Sequence, residues 1–493
     1  MNSRIRNLAI GLMVCYIALF VSLQIPQVAK SKSLNSNPAN TRQVEQVFDK
    51  ARGDIITADG VVIARTIPAK EGDRFSYQRE YPRGELFAAV TGYFSLANGA
   101  SQIERVFNNT LSGKDIPIRD LNDLVNRKDA IGNVYLTIRA DYQQLAAKLL
   151  GKREGSIVML DPRTGAVLAL YSWPSYDPNL IATHNSKDAT QVLEKLIADK
   201  RKPLLANAYQ ERYMPGSTFK LITTSTALKT GVASLETTFP VEREYLPPQT
   251  TDPIENYNGK SCGGTLVEVF RRSCNIPFAR LAVELGGERF TQGANDFGLN
   301  DPPPFDLPSA AASFVSAPGE DFDNNIPILA QRGFGAENVQ LTPLQLAMVA
   351  ATIANKGLEM QPYVVSRTTD RGGNVISSTT PKVWKTVMTQ SVADTMVDLM
   401  IQVVSGPNGT ARGRFSLPNG AQAAAKTGTA QLNPKGREQR SHAWITAFAP
   451  AKAPQVVVTV MLKGVNAEIS ASTGGRLCGP IANQLLNYAL LHP

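Results

Sequence analysis

Histidine and cysteine are scarce in this chain. Its 493 residues include three histidines (His184, His442 and His492) and four cysteines (Cys15, Cys262, Cys274 and Cys478). None of the cysteines forms a Cys-x-x-Cys pair. A structural zinc site of the usual spacing is therefore not indicated, nor is a cluster of histidine ligands, and no metal or cofactor is expected. A hydrolase or transferase built from this sequence has to move protons with something other than histidine. Glycine (37) and proline (31) are too few for a collagen-like or low-complexity protein, and no internal repeat appears. RNA-binding and helix-turn-helix signatures are absent. The 51 basic and 42 acidic residues give a net charge of +9, and the basic ones are dispersed rather than gathered in a block. That balance suits an anionic membrane or an acidic polymer, and no nucleic-acid partner is expected.

The 43% hydrophobic and 19% charged content is globular, and the length fits two or three domains. Arg4 and Arg6 precede an uncharged apolar run from Leu8 to Leu23 that extends to Pro26. About 18 residues at a helical rise of about 1.5 Å span about 27 Å, enough to cross a hydrocarbon core. Residues 8–25 are therefore expected to be a single-pass anchor in the cell membrane. The arginines assign the N-terminus to the cytoplasm and everything after Pro26 to the outside. A cleaved signal ending at Ala29-Lys30-Ser31 competes with this reading. So does lipidation of Cys15, although Leu12-Met13-Val14 lacks the small residue such processing wants.

Residues 27–41 are polar and read as a linker. From Ala51 to Ala64 the pattern predicts a β-hairpin turning at Asp59-Gly60. A helix is expected from Gln102 to Leu111, ending at Gly113. Strands are expected over Gly155–Asp161 and Ala166–Ser172, and again over Ala421–Gln431, His442–Phe448 and Gln455–Leu462. Helices lie between, one opening on the capping signal Thr342-Pro343-Leu344-Gln345, another at Ser391 and a last one at Pro480. Strands at both ends of a helical region imply one sheet assembled from distant segments, an α+β domain. The divisions expected are 1–26 (tip and anchor), 27–41 (linker), 42–150 (a small mixed α/β module) and 151–493 (the catalytic domain).

The sharpest local feature is Pro215-Gly216-Ser217-Thr218-Phe219-Lys220. A Pro-Gly break before an apolar stretch marks a helix start, and on a helix Ser217 and Lys220 share a face. A serine hydroxyl becomes a nucleophile when a base takes its proton, and a lysine serves as that base only if burial or a neighbouring cation lowers its pKa. Alone, the pattern is also that of a capping serine beside a surface lysine. Two further motifs follow in order, Ser273-Cys274-Asn275 and Lys426-Thr427-Gly428-Thr429. Two decoys exist. Lys229-Thr230-Gly231 reads as a helix C-terminus, and Ser33-Leu34-Asn35 lies in the linker.

The ordered set resembles the active-serine penicillin-recognising enzymes, penicillin-binding proteins and class A β-lactamases. The stretches Asp161 to Ala169, Gly333-Phe334-Gly335 to Ala347, Gly409-Thr410-Ala411 and His442 to Pro450 are similar to segments of their transpeptidase domain. Arg52-Gly53-Asp54-Ile55 and Gly99 to Gly113 resemble the non-catalytic region of class B penicillin-binding proteins, most like their penicillin-binding protein A subgroup. Ala425 departs from the glycine that often precedes the Lys-Thr-Gly. The resemblance implies a β-lactamase/transpeptidase-like α+β fold with an antiparallel sheet and a helical subdomain.

The implied activity is that of a D,D-transpeptidase acting on peptidoglycan stem peptides ending in D-Ala-D-Ala and acylated by β-lactam antibiotics. Ser217 would be the nucleophile and Lys220 its base. Ser273 would relay a proton to the leaving amine, and Lys426 would keep Lys220 neutral and orient the substrate carboxylate. Thr427, Gly428 and Thr429 would line the carboxylate site, and Asn275 would bind the donor amide. The backbone N–H groups of Ser217 and Thr429 would form the oxyanion hole. The roughly 120 residues between anchor and catalytic hairpin are too few for a glycosyltransferase domain. A membrane glycan polymerase of the SEDS family and division proteins are therefore the partners the resemblance implies. A D,D-carboxypeptidase and a penicillin-binding scaffold or sensor are the competing readings. Among the cysteines, Cys262 and Cys274 can pair, either can pair with Cys478, or Cys274 can remain a free buried thiol.

Overall fold

The computed structural model describes residues 3–24, 48–117, 130–433, 437–438 and 440–493. The linker 27–41, the Ala29-Lys30-Ser31 cleavage signal, the Ser33-Leu34-Asn35 decoy and the last two residues of the expected anchor, Ile25 and Pro26, lie outside them. By its internal contacts the chain divides into two units, Met1–Ala51 with Ile67–Gln78, and Arg52–Thr66 with Arg79–Pro493.

The first unit contains one long helix, Ser3–Gln24. Its Ser3–Phe20 window is apolar enough to cross a membrane, with a mean hydropathy of 1.4, and none of it is buried by protein. Ile5, Leu8, Leu12, Tyr16 and Phe20 all point outward. An apolar helix with no protein around it is suited to lipid.

Among its described residues, the second unit holds two large sheets and four two-stranded ones. In the first, Ile55–Ile56 pairs antiparallel with Val62–Pro68 and parallel with Gly132–Leu136. This is the expected hairpin, with Gly60 at φ +81° accommodating the turn. Gly132–Leu136 also pairs with Val365–Asp370, which pairs in turn with Val375–Ser378. The stretch 151–493 thus lends two strands to the sheet that the N-terminal hairpin begins. The helix expected over Gln102–Leu111 is broken at Phe107 into Gln102–Val106 and Asn108–Leu111. Beneath it, Glu104 is fully buried between Arg52 and Arg79, each guanidinium Nε 2.6 Å from one carboxylate oxygen.

The second sheet is fully antiparallel. Its order is Ala424–Gln431, Ser441–Ala449, Val456–Leu462, Gly155–Leu160 and Val167–Trp173. The sheet therefore joins the two ends of the catalytic region, as the strand pattern implied. Its three central strands are buried throughout, because side chains alternate between two packed faces. Val158, Trp444, Phe448 and Met461 join the core with Leu344 and Leu346 of the helix Pro343–Ala354. Ile157, Ile445 and Val460 face the opposite side, against Leu485 and Leu486 of Gly479–Leu491 and Ala146 of Ala140–Leu150.

The Thr342 signal is half realised. Thr342 Oγ1 accepts the Gln345 N–H at 3.1 Å, but the Thr342 N–H goes to Ser313 Oγ at 3.3 Å rather than to Gln345, whose NH2 reaches across to the carbonyls of Gly298 and Asp301. The strand Ala424–Gln431 is an edge, with β-sheet on one side only. Its free side faces the helical region and the turn Gly216–Phe219.

Candidate active site

Two of the three motifs sit where the backbone changes direction, and the third lies inside the regular strand Ala424–Gln431. Ser217 is not on an α-helix. It lies in a 3-10 turn, Gly216–Phe219, and Lys220 opens the α-helix Lys220–Thr230 that follows. The tighter turn still keeps the pair on one face, with Lys220 Nζ 2.9 Å from Ser217 Oγ. The turn packs backbone against backbone on the edge strand. A Cβ on Gly216 would come within 2.7 Å of the Thr429 carbonyl, and one on Gly428 within 2.6 Å of the Pro215 carbonyl. Glycine at these two positions is what lets the Ser217 turn and the Lys-Thr-Gly strand meet.

Ser273 terminates the helix Leu266–Arg272 with φ +61°, ψ +40°. Its N–H bonds Phe270 O at 3.1 Å, and Cys274 N–H bonds Val269 O at 3.0 Å. This is a Schellman ending, whose left-handed residue is usually glycine. A serine there costs on the order of 1 kcal/mol in backbone conformation. Its hydroxyl has partners that glycine could not supply. Lys426 Nζ donates to Ser273 Oγ at 2.8 Å, and Lys220 Nζ lies 3.5 Å from the same oxygen. Lys220 also donates to the Ser273 carbonyl at 2.8 Å and to Asn275 Oδ1 at 2.9 Å. The structure therefore gathers Ser217, Lys220, Ser273, Asn275 and Lys426 into one continuous hydrogen-bonded cluster.

Both lysines are completely buried. Lys220 Nζ lies 5.2 Å from the Phe278 ring and Lys426 Nζ 5.5 Å from the Phe270 ring, so aromatic faces replace water. Burial, reinforced by the positive charge of Lys426, pushes the Lys220 amine well below its ordinary value. Burial alone brings Lys426 down to about 7. A neutral lysine has two N–H groups and one lone pair. With Ser273 O and Asn275 Oδ1 taking the two N–H groups, the lone pair is left for Ser217 Oγ. Histidine takes no part in this cluster. Burial and then Lys463 hold His442 neutral, down to about 4, and its Nδ1 accepts the Gly464 N–H at 3.0 Å within the core.

Thr427, Gly428 and Thr429 lie in register on the edge strand beside Ile445, Trp444 and Ala443. Thr427 Oγ1 donates to Thr410 Oγ1 at 2.6 Å, and Thr429 Oγ1 accepts the Gly474 N–H at 3.3 Å. Trp444 Nε1 donates to Met214 O at 2.9 Å, tying the next strand to the chain entering the nucleophile turn.

Several of these neighbours escaped sequence reasoning. Thr410 stood only in a stretch of general resemblance, and Asn256 had no motif around it. Asn256 Oδ1 accepts the N–H groups of Asn275 and Ile276 at 2.8 and 3.1 Å. Of the cysteine alternatives, Cys262 and Cys274 form a disulfide with a Cα separation of 5.8 Å, and Cys478 is the buried free thiol. Cys274 as a free thiol is thereby corrected. The Schellman ending turns its side chain away from the lysines, toward the strand Cys262–Thr265. The decoy Lys229-Thr230-Gly231 is the helix end it was read as, with Gly231 left-handed at φ +72°.

Comparison with known proteins agrees with this geometry. Residues 155–487 match the penicillin binding protein transpeptidase domain, and residues 52–134 match the penicillin binding protein A dimerisation domain. The chain is 37% identical to the peptidoglycan D,D-transpeptidase PbpA of Mycolicibacterium smegmatis over 505 residues, covering 99% of each. It is 36% identical to that of Mycobacterium tuberculosis over 502 residues, again covering 99% of each. Among solved structures, the ceftriaxone acyl-enzyme of penicillin-binding protein A from M. tuberculosis superposes with a TM-score of 0.82 at 34% identity, over 91% of this chain and 100% of that one. On sequence, fold and domain content together, this chain belongs to the class B penicillin-binding protein transpeptidases.

Proposed function

We propose that this protein is a membrane-anchored peptidoglycan D,D-transpeptidase that works through a serine acyl-enzyme. The observation that carries the reading is the shared cluster in which Lys220 Nζ lies 2.9 Å from Ser217 Oγ while Lys426 Nζ lies 2.8 Å from Ser273 Oγ. In this mechanism neutral Lys220 takes the Ser217 proton as the hydroxyl attacks the carbonyl of the penultimate D-Ala. The backbone N–H groups of Ser217 and Thr429 receive the developing oxyanion. Ser273 passes a proton to the departing D-Ala amine, drawing on the lysines on either side. Lys426, Thr427 and Thr429 hold the terminal carboxylate over Gly428, and Asn275 holds the donor amide. An amine from a neighbouring stem then attacks the ester, its proton returning along the same route, and a crosslink closes. A β-lactam presents its carboxylate and carbonyl in the same places and acylates Ser217. The edge strand supports this reading, because its open side can pair with an extended peptide.

The proposed organisation is an anchor over residues 1–26, a linker over 27–41, a non-catalytic module over 42–150 and the transpeptidase domain over 151–493. Arg4 and Arg6 support a cytoplasmic N-terminus with the catalytic domain outside. Crosslinking needs polymerised glycan strands, so a membrane glycan polymerase of the SEDS type is the proposed partner, with a role in cell division alongside it.

The test is turnover of a D-Ala-D-Ala stem peptide with and without an added amine acceptor. Crosslinked product, formed with release of D-Ala and dependent on the amine, is expected. Hydrolysed peptide alone, whatever the acceptor concentration, would make this a carboxypeptidase instead.

A further inference from the structure

Asn275 has two jobs in the cluster, and neither is secured by its own helix. Its Oδ1 accepts from Lys220, and its backbone opens the helix Ile276–Asp296 without capping it. The first N–H groups of a helix have no partner within it and need one from elsewhere. Asn256 supplies it from 19 residues upstream. It is buried, with 5% exposure, and its Oδ1 accepts the N–H groups of both Asn275 and Ile276. Its own Nδ2 is anchored on the Glu242 carbonyl at 3.0 Å. The preceding residue completes the hold, because Glu255 O accepts Asn275 Nδ2 at 3.2 Å. That bond decides which way the Asn275 amide is turned. With its NH2 on Glu255, its oxygen must face Lys220.

We infer that Asn256 is a positioning residue for the acylation step: it caps the helix that carries Asn275 and so aims the Lys220 lone pair at Ser217. The inference rests on the assignment of Ser217 and Lys220 as nucleophile and base. If Asn275 swings away, one N–H of neutral Lys220 loses its acceptor. The amine can then rotate its lone pair off the serine, although neither Ser217 nor Lys220 has been changed. The Cys262–Cys274 disulfide restrains the same loop covalently, but it grips the residue between Ser273 and Asn275 and does not set the amide's orientation.

Two substitutions separate the capping acceptor from mere bulk. Asn256→Asp keeps an oxygen for both N–H groups and gives up only the donation to Glu242. Asn256→Leu keeps the volume and removes the acceptor. The measurement is the second-order rate constant for acylation of the full chain in detergent by a fluorescent penicillin, from pH 6 to 9, with thermal unfolding followed in parallel. Asn256→Leu is expected to acylate at least about tenfold more slowly than wild type, and Asn256→Asp to keep its maximal rate within about threefold. The new carboxylate also favours charged Lys220, so the acid limb of the Asn256→Asp profile should move to higher pH. Should Asn256→Leu fail to fold, Asn256→Ala takes its place with the same direction of effect. Equal losses in the Asp and Leu variants, or a wild-type rate in a folded variant lacking the acceptor, would overturn the inference while a labelled wild type leaves the nucleophile assignment standing. An unlabelled wild type would overturn both.

Discussion

Two buried lysines, the serine proposed as nucleophile and one serine in a left-handed conformation make up the chemistry proposed at the scale of single residues. The proton balance between the lysines has a sign that can be measured. Burial first, and then the charge of Lys426, lower the Lys220 pKa, so the fraction able to act as base grows as pH rises. Lys426, down to about 7 through burial, loses on the alkaline side the charge that in the proposed mechanism draws the substrate carboxylate. Acylation by a carboxylate-bearing β-lactam should therefore rise from acid pH and decline above about 7. A flat profile from about pH 5 to 9 would count against a lysine base. Ser273 allows a second test. Ser273→Ala and Ser273→Gly both remove the hydroxyl that Lys426 touches and should both lose transpeptidation. Glycine relieves the left-handed backbone where alanine does not, so Ser273→Gly should be the more stable of the two by about 1 kcal/mol in denaturant unfolding.

The site depends, at the scale of elements, on a strand, a turn and a helix end meeting at separations too small for side chains. Gly216 and Gly428 are the contact between strand and turn. A methyl at 428 meets the carbonyl of Pro215, just before the Ser217 turn, and the Thr218 side chain within it. Gly428→Ala should slow acylation at least about tenfold and destabilise the fold by about 1–3 kcal/mol, since relief requires moving strand or turn. An acylation rate equal to wild type would show that the two elements have slack between them. These contacts also mark what could be read before folding. The motifs were legible because their chemistry needs fixed residue types at short spacing, and the strands because apolar runs bounded by turns are local signals. Asn256 and Thr410 were not legible, and the Cys262–Cys274 bridge was one of several pairings the sequence left open. Each acts through a contact with a segment remote in sequence or through a backbone group, and neither leaves a period or a spacing. The 3-10 turn at Ser217 was missed for a related reason. The Pro-Gly signal announces a helix start but does not distinguish three residues per turn from 3.6.

Across the whole molecule, one sheet joins the two ends of the catalytic region and a second takes strands from both the N-terminal hairpin and the stretch after residue 364. The first arrangement explains why Ser217, Ser273 and Lys426, scattered along the chain, converge: the strands flanking the helical region pair at its base. The apolar residues of the second, Ile55, Ile63, Val134 and Leu136, belong to the same core as Val158 and Trp444 of the first, and Glu104 is buried beside it between Arg52 and Arg79. Burial alone would push that carboxyl up, but Arg79 and Arg52 more than reverse it and hold it ionised. Glu104→Ala leaves two buried guanidiniums uncompensated and should cost about 3–5 kcal/mol in unfolding free energy. Its acylation rate constant at temperatures where the variant stays folded should match wild type, because among the described residues the partners of Glu104 are Arg52, Arg79 and Tyr81 rather than Lys220 or Lys426. All of this converges on one claim, that the chain makes a covalent ester at Ser217. The most direct measurement is intact-mass analysis after incubation with a penicillin, comparing wild type with Ser217→Ala of equal thermal stability. The account predicts one stoichiometric adduct on wild type and none on the variant. An adduct of the same mass on Ser217→Ala would contradict it.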